Sequence, residues 1–267
     1  MSPQALLAVI VALVLAVAGF TTRASPTPAP AGTSTARPPG LLQVPASGAD
    51  PAAQPLGGPV NSLLPGSRPA AEPWNPGPGQ LQGSDTSEWQ SDAEFESAIK
   101  NTQFAVIKAS QGTGFVDRTF KSRWAELGAK VQSGTMALRV AYCFLDRGNG
   151  TGQAKHFLDV VGISGPPPAG TRLALDWEAA ALEDPATLED AAKYVHQVTG
   201  LWPIIYVQGS KMAVAKSSVP DAPLWEASWG PSPDKGVPFV QYSDAPVYDH
   251  DVFNGDVSAL KRFAGES

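Results

Sequence analysis

From residue 83 onward, short apolar runs alternate with longer stretches in which apolar residues recur every third or fourth position. The runs fall at residues 104–109, 138–145, 172–177, 203–207, 224–228 and 239–242. Their length and their content of Val, Ile, Leu and aromatic residues predict β-strands. The amphipathic stretches at 91–100, 118–131, 152–161, 185–198 and 257–263 predict helices on the 3.6-residue period. Strands alternating with helices imply βα units around a parallel sheet. Toward the C-terminus the spacing tightens, and residues 224–242 leave little room for a crossover helix. A barrel that starts as βα repeats and closes with plain strands fits this asymmetry.

The first 82 residues read differently. Residues 5–20 form an Ala/Val/Leu-rich run with small residues at Ala16, Ala18 and Ala24, the pattern of a secretory signal core and its cleavage region. Met1–Gln4 carry no Lys or Arg, so residues 1–24 are read as either a signal peptide or a retained membrane anchor. Residues 25–82 are dominated by Pro, Ala, Gly and Ser, and more than half of the chain's 26 prolines lie between Thr21 and Gln82. Such a stretch buries too little apolar surface to offset its ordering entropy and is expected to be a disordered, partly extended spacer. Residues 83–267 form the expected barrel domain, secreted or held at the membrane outside the cytoplasm.

Charge and composition narrow the chemistry. The 267-residue chain carries a formal net charge of -6 and has no basic block, which argues against a nucleic-acid partner. Cys143 is its single cysteine, so it can form no internal disulfide and no cysteine-based zinc cluster. His156, His196 and His250 show no metal-ligand spacing. Neither a metal nor a cofactor is expected, and the thiol of Cys143 is read as a small buried residue rather than a nucleophile.

The run Leu175-Asp176-Trp177-Glu178 carries the clearest chemical signal. On a strand, residues two apart point to one face, so Asp176 and Glu178 project together while Trp177 points to the helix layer. Paired carboxylates suit glycoside hydrolysis, in which one group donates a proton and the other remains ionised beside the cationic sugar centre. Aromatic faces pack on the CH faces of a pyranose. Tyr142, Trp225, Trp229 and Tyr242, with Gln241, are therefore the candidate substrate-binding residues, each aromatic standing equally well as barrel core.

In order along the chain, Gly83-Ser84-Asp85-Thr86-Ser87, Phe104 to Thr113, Ala141-Tyr142-Cys143-Phe144, Leu175 to Glu178, Leu224 to Trp229, Gln241-Tyr242-Ser243 and Tyr248 to Gly255 together resemble the sequence blocks of glycoside hydrolase family 25, the Chalaropsis-type lysozymes. The resemblance implies a TIM-like α/β fold, a flattened (β/α)5(β)3 barrel, and cleavage of the β-1,4 bond between N-acetylmuramic acid and N-acetylglucosamine in peptidoglycan glycan strands. It implies that Glu178 is the general acid/base, Asp176 its ionised partner, and Asp85 and Asp249 supporting acids at strand ends. The chain departs from the family pattern at Gln111, where Glu is common, at Cys143 for His, at Trp229 for Tyr and at Asp251 for Asn. A monomeric enzyme is expected. The competing reading is a non-catalytic wall-glycan module on the same fold, against which the retention of all four acids weighs. A chitinase-type motif is excluded by Ala174, which stands two residues before Asp176.

Overall fold

The structure, a computed structural model, describes residues 77, 80–228, 236–243 and 247–266. The expected signal or anchor, nearly all of the expected spacer, and Trp229 lie outside the described residues. In chain order the elements are β1 (Leu81–Thr86), α1 (Asp92–Ala98), β2 (Phe104–Gln111), β3 (Phe115–Val116), α2 (Phe120–Gln132), β4 (Leu138–Phe144), α3 (Gly150–Val161) and β5 (Thr171–Asp176). A 3₁₀ turn (Ala179–Glu183) leads into α4 (Pro185–Thr199), β6 (Ile204–Gln208), α5 (Met212–Ser218), β7 (Leu224–Ala227), β8 (Phe239–Ser243), β9 (Asp249–Phe253) and α6 (Val257–Phe263).

Eight strands close a ring in the order β1-β2-β4-β5-β6-β7-β8-β9 and back to β1, while β3 adds to β2 as a hairpin. Five βα units are followed by three strands, as the spacing and the family resemblance imply. Neighbours from β1 through β8 run parallel, and β9 runs antiparallel to both β8 and β1. Reversing β9 places its first residue, Asp249, opposite Asp85 near the end of β1. An acid at the start of one strand thus reaches the same barrel end as acids at the ends of the others.

Three strands and a helix escape the hydrophobic pattern. β1 reads Leu-Gln-Gly-Ser-Asp-Thr and β9 reads Asp-His-Asp-Val-Phe, and their inward positions carry Gly83, Asp85, Asp249 and Asp251. A Cβ on Gly83 would stand 2.2 Å from the Phe104 ring, so the barrel's own aromatic filling requires glycine there. β3 is only two residues long, and α5 is a short helix rich in Ala and Ser.

Alternation sorts the core into two layers. Phe104, Val106, Leu138, Val140, Ile204, Phe239 and Phe253 fill the barrel, and Phe104 and Phe253 both meet the Phe239 ring at centroid distances of 5.3 and 5.1 Å. Ile107, Leu127, Phe157, Leu175, Trp177 and Leu188 pack between sheet and helices. Trp177 is fully buried in this outer layer, as alternation predicts, and its indole N–H donates to the Ala181 carbonyl at 2.8 Å. Helix starts are chemically marked: Ser91 and Glu94 form a capping box on α1, and Asp184 caps α4 just before Pro185. Cys143 is also in the outer layer, where burial pushes its thiol up to about 12.

Candidate active site

The acids gather inside the barrel at the C-terminal ends of the parallel strands, the end at which such barrels place their sites. Asp176 is the last residue of β5 and faces inward. The chain stays extended through Glu178 (φ −143°, ψ −169°), so Glu178 projects on the same side. Ala179 then turns sharply with φ +50°, a left-handed conformation that costs about 1–2 kcal/mol in an L-residue. That strained residue ends the strand immediately after the acid and starts the 3₁₀ turn.

Asp85 is 1 % exposed and is held in place by neighbours. The Gln241 amide donates to its Oδ2 at 2.8 Å, and the Tyr206 hydroxyl donates to Gln241 Oε1 at 2.9 Å. Burial raises the Asp85 carboxyl to about 6, and hydrogen bonding from Gln241, Asp251 and Asp249 opposes that rise. Glu178 is less covered than Asp176. Burial, and then the charge of Asp85, raise it to about 7, while Lys108 pulls the other way.

Asp176 is wholly buried, and neither of its carboxylate oxygens has a hydrogen-bond partner. Burial drives its carboxyl well above the usual range, Glu178 adds to the rise, and Lys108 opposes it. Asp176 and Glu178 therefore titrate as a coupled pair rather than as one fixed acid and one fixed anion. Lys108 is the counter-charge. Its ammonium is buried, donates to Gln111 Oε1 at 2.8 Å and lies over the rings of Phe115 and Phe144 at 5.3 and 5.0 Å. Among the described residues, no group of three His, Cys, Asp or Glu side chains is arranged to hold a metal ion.

The expected substrate-binding residues divide. Tyr142, Trp225 and Gln241 line the barrel beneath the acids, exposed by 3 %, 2 % and 0 %, so they support the carboxylates and offer no open face to a sugar. The Trp225 indole N–H donates to Asp251 Oδ1 at 2.9 Å, and burial and the surrounding acids hold the Tyr142 and Tyr206 phenols well above their usual range. Tyr242 departs from the expected cleft. It lies on the outer face of β8, where its hydroxyl donates to Gln82 Oε1 at 3.1 Å and its ring neighbours His250. The alternation that puts Gln241 inside puts its sequence neighbour outside.

Lys108, Tyr206 and Trp89 stand in or beside the site although the sequence pattern does not mark them as candidates. The signal for the first two was positional: Lys108 follows inward-facing Val106 by two, and Tyr206 pairs in register with Asp176. Trp89 follows the end of β1 and is 56 % exposed. Its loop is fixed, with Arg123 donating to the Ser87 and Gln90 carbonyls at 2.7 and 2.6 Å and the Glu88 N–H donating to Asp117 Oδ2 at 2.7 Å.

The family model for glycosyl hydrolases family 25 matches residues 84–251, and the chain belongs to that family. It is a glycoside hydrolase. It is 26 % identical over 222 residues to an N,O-diacetylmuramidase from Chalaropsis sp, covering 69 % of this chain and 99 % of that protein. Among solved structures, a muramidase from Acremonium alcalophilum superposes with a TM-score of 0.57 at 27 % identity, covering 69 % of this chain and 98 % of that one. A family GH25 lysozyme from Aspergillus fumigatus gives the same TM-score and identity, covering 69 % and 99 %.

Proposed function

We propose that this enzyme is a lysozyme-type peptidoglycan hydrolase that cleaves the β-1,4 bond between N-acetylmuramic acid and N-acetylglucosamine, with Glu178 as its general acid/base. The observation that carries the assignment of Glu178 is its setting: it is the most accessible acid of the cluster, and it keeps its proton to about pH 7. It protonates the glycosidic oxygen as the C–O bond breaks, then takes a proton from the water that completes hydrolysis. Asp85, held by Gln241, supplies negative charge facing the sugar centre, and Asp176, with Lys108 as its counter-charge, carries the charge of its coupled pair while Glu178 holds the proton. Asp249, paired with Asp85 across β1 and β9, helps to hold that carboxylate in place.

Trp89 is the sugar platform that this reading favours, because a rigid loop holds a large aromatic face in water beside the end of β1. Peptidoglycan lies outside the cytoplasm, so the enzyme acts there. Residues 1–24 serve as the export signal or anchor, and the Pro-rich spacer tethers a monomeric barrel within reach of glycan strands.

Mass analysis of fragments released from purified peptidoglycan tests the bond assignment. Reducing N-acetylmuramic acid ends are expected. Reducing N-acetylglucosamine ends would overturn it in favour of a glucosaminidase, and wall binding without any release would favour the non-catalytic module.

A further inference from the structure

The barrel interior holds more acid than the hydrolysis needs. Asp85, Asp176, Glu178, Asp249 and Asp251 converge there, and the cation that acts on the Asp176–Glu178 pair is Lys108. Five carboxylates cannot all be ionised in so dry a space, because each unpaired buried charge costs several kcal/mol. Glu178 holds its catalytic proton, yet the four remaining carboxylates still outnumber the one cation acting on the pair, so at least one of them must hold a proton as a structural part of the site.

We propose that Asp251 is that group, a permanently protonated carboxyl that donates its proton to Asp85 and so keeps Asp85 ionised and aimed at the cleft. Asp251 is fully buried on the inner face of β9. It sits opposite Gly83 and Gln241 in the sheet register, one inward position deeper than Asp249. The absence of a side chain at Gly83 leaves the Asp85 carboxyl as the next inward group on β1. One Asp251 oxygen, Oδ1, accepts from the Trp225 indole at 2.9 Å, whereas Oδ2 meets no donor. A carboxylate left that way would carry an unsatisfied charge; a carboxylic acid within hydrogen-bonding reach of Asp85 is satisfied. Asp251 has one donor, Trp225, and a second oxygen without any, whereas Asp85 is bonded by both Gln241 and Asp249, so of the two Asp85 is the better anion.

Around this pair stand Tyr142 and Tyr206, which feel the Asp85 charge, Trp225 and Gln241, which donate to Asp251 and Asp85, and the acids Asp176, Glu178 and Asp249, with Tyr242 behind the sheet. The Lys108 ammonium is committed to Gln111 and acts on Asp176 and Glu178, so the nearest partner for an Asp251 charge is another acid. Asp251 is thus a positioning residue, and its part in catalysis rests on the reading of Asp85 as an ionised cleft carboxylate.

Asp251→Asn and Asp251→Leu separate this role from packing. An amide keeps the geometry, its oxygen accepting from Trp225 and its N–H donating to Asp85, so D251N should turn over peptidoglycan near the parent rate. D251L leaves Asp85 without that donor and should lose about 10- to 100-fold. The proton is read directly by infrared difference spectroscopy of the full chain at neutral pH, without substrate. The parent should show a carboxylic-acid carbonyl band that D251N lacks. An unchanged acid band in D251N would overturn the proposal, as would a folded D251N no more active than D251L. The infrared result stands apart from turnover, so loss of the band in a chain that releases no fragments would uphold the shared proton and count against the hydrolase reading alone.

Discussion

Glu178→Gln tests both the chemistry and the electrostatic cost of the site. Glu178 titrates at about 7 rather than the ordinary 4.5. At pH 6 about nine-tenths of the molecules hold the proton, against about 3 % for an unperturbed glutamate, roughly a thirtyfold gain in the acid form. Glutamine keeps the shape and loses the proton, so turnover should fall about 10²- to 10⁴-fold. Stability should move the other way. Because the folded-state value is raised, the folded protein binds more protons than the unfolded chain between 4.5 and about 7, so stability falls as pH rises through that window and stays reduced above it. The shift corresponds to at most about 3 kcal/mol, and in a domain of this size that is roughly 6–12 °C of melting temperature. The variant should therefore melt above the parent at pH 8 and together with it near pH 4. Wall-lysis rates and melting curves on both proteins across pH 4–9 decide it. A folded variant with near-parent turnover refutes the acid/base assignment, and superimposable melting curves refute the claim that Glu178 is ionised at a cost.

Lys108→Met removes the charge that opposes the proton affinity of Asp176 and Glu178; the alkaline limb of the rate profile should move to higher pH, and an unmoved limb would show that Lys108 acts elsewhere. Trp89→Ala should raise KM about 2- to 10-fold with little change in kcat or melting temperature, and an unchanged KM would remove Trp89 as a sugar platform. A chain beginning at Gly77 should be folded and active, whereas one beginning at Gly83 should melt lower. The shorter chain loses the pairing of Leu81 and Gln82 with Phe253 and Val252, and the Gln80 amide's bond to Asn254. Equal melting temperatures would mean that the first turn of β1 contributes nothing.

The chain's pattern alone determined the alternation of strands and helices, the shortened spacing after Leu224 and the Asp176/Glu178 face, because burial period and strand alternation are local properties. The strands it hid, β1 and β9, are those whose inward positions carry Gly83, Asp85, Asp249 and Asp251: an interior that serves chemistry is polar, and so it does not read as core. Only the tertiary structure decided that β9 runs antiparallel and sets Asp249 opposite Asp85, that Lys108 and Tyr206 join the site, and that Tyr242 faces outward. It also decided the ionisation of the acids. A carboxyl's proton affinity depends on how much water is removed and which charges and donors are brought near, and those neighbours come from strands far apart in the chain.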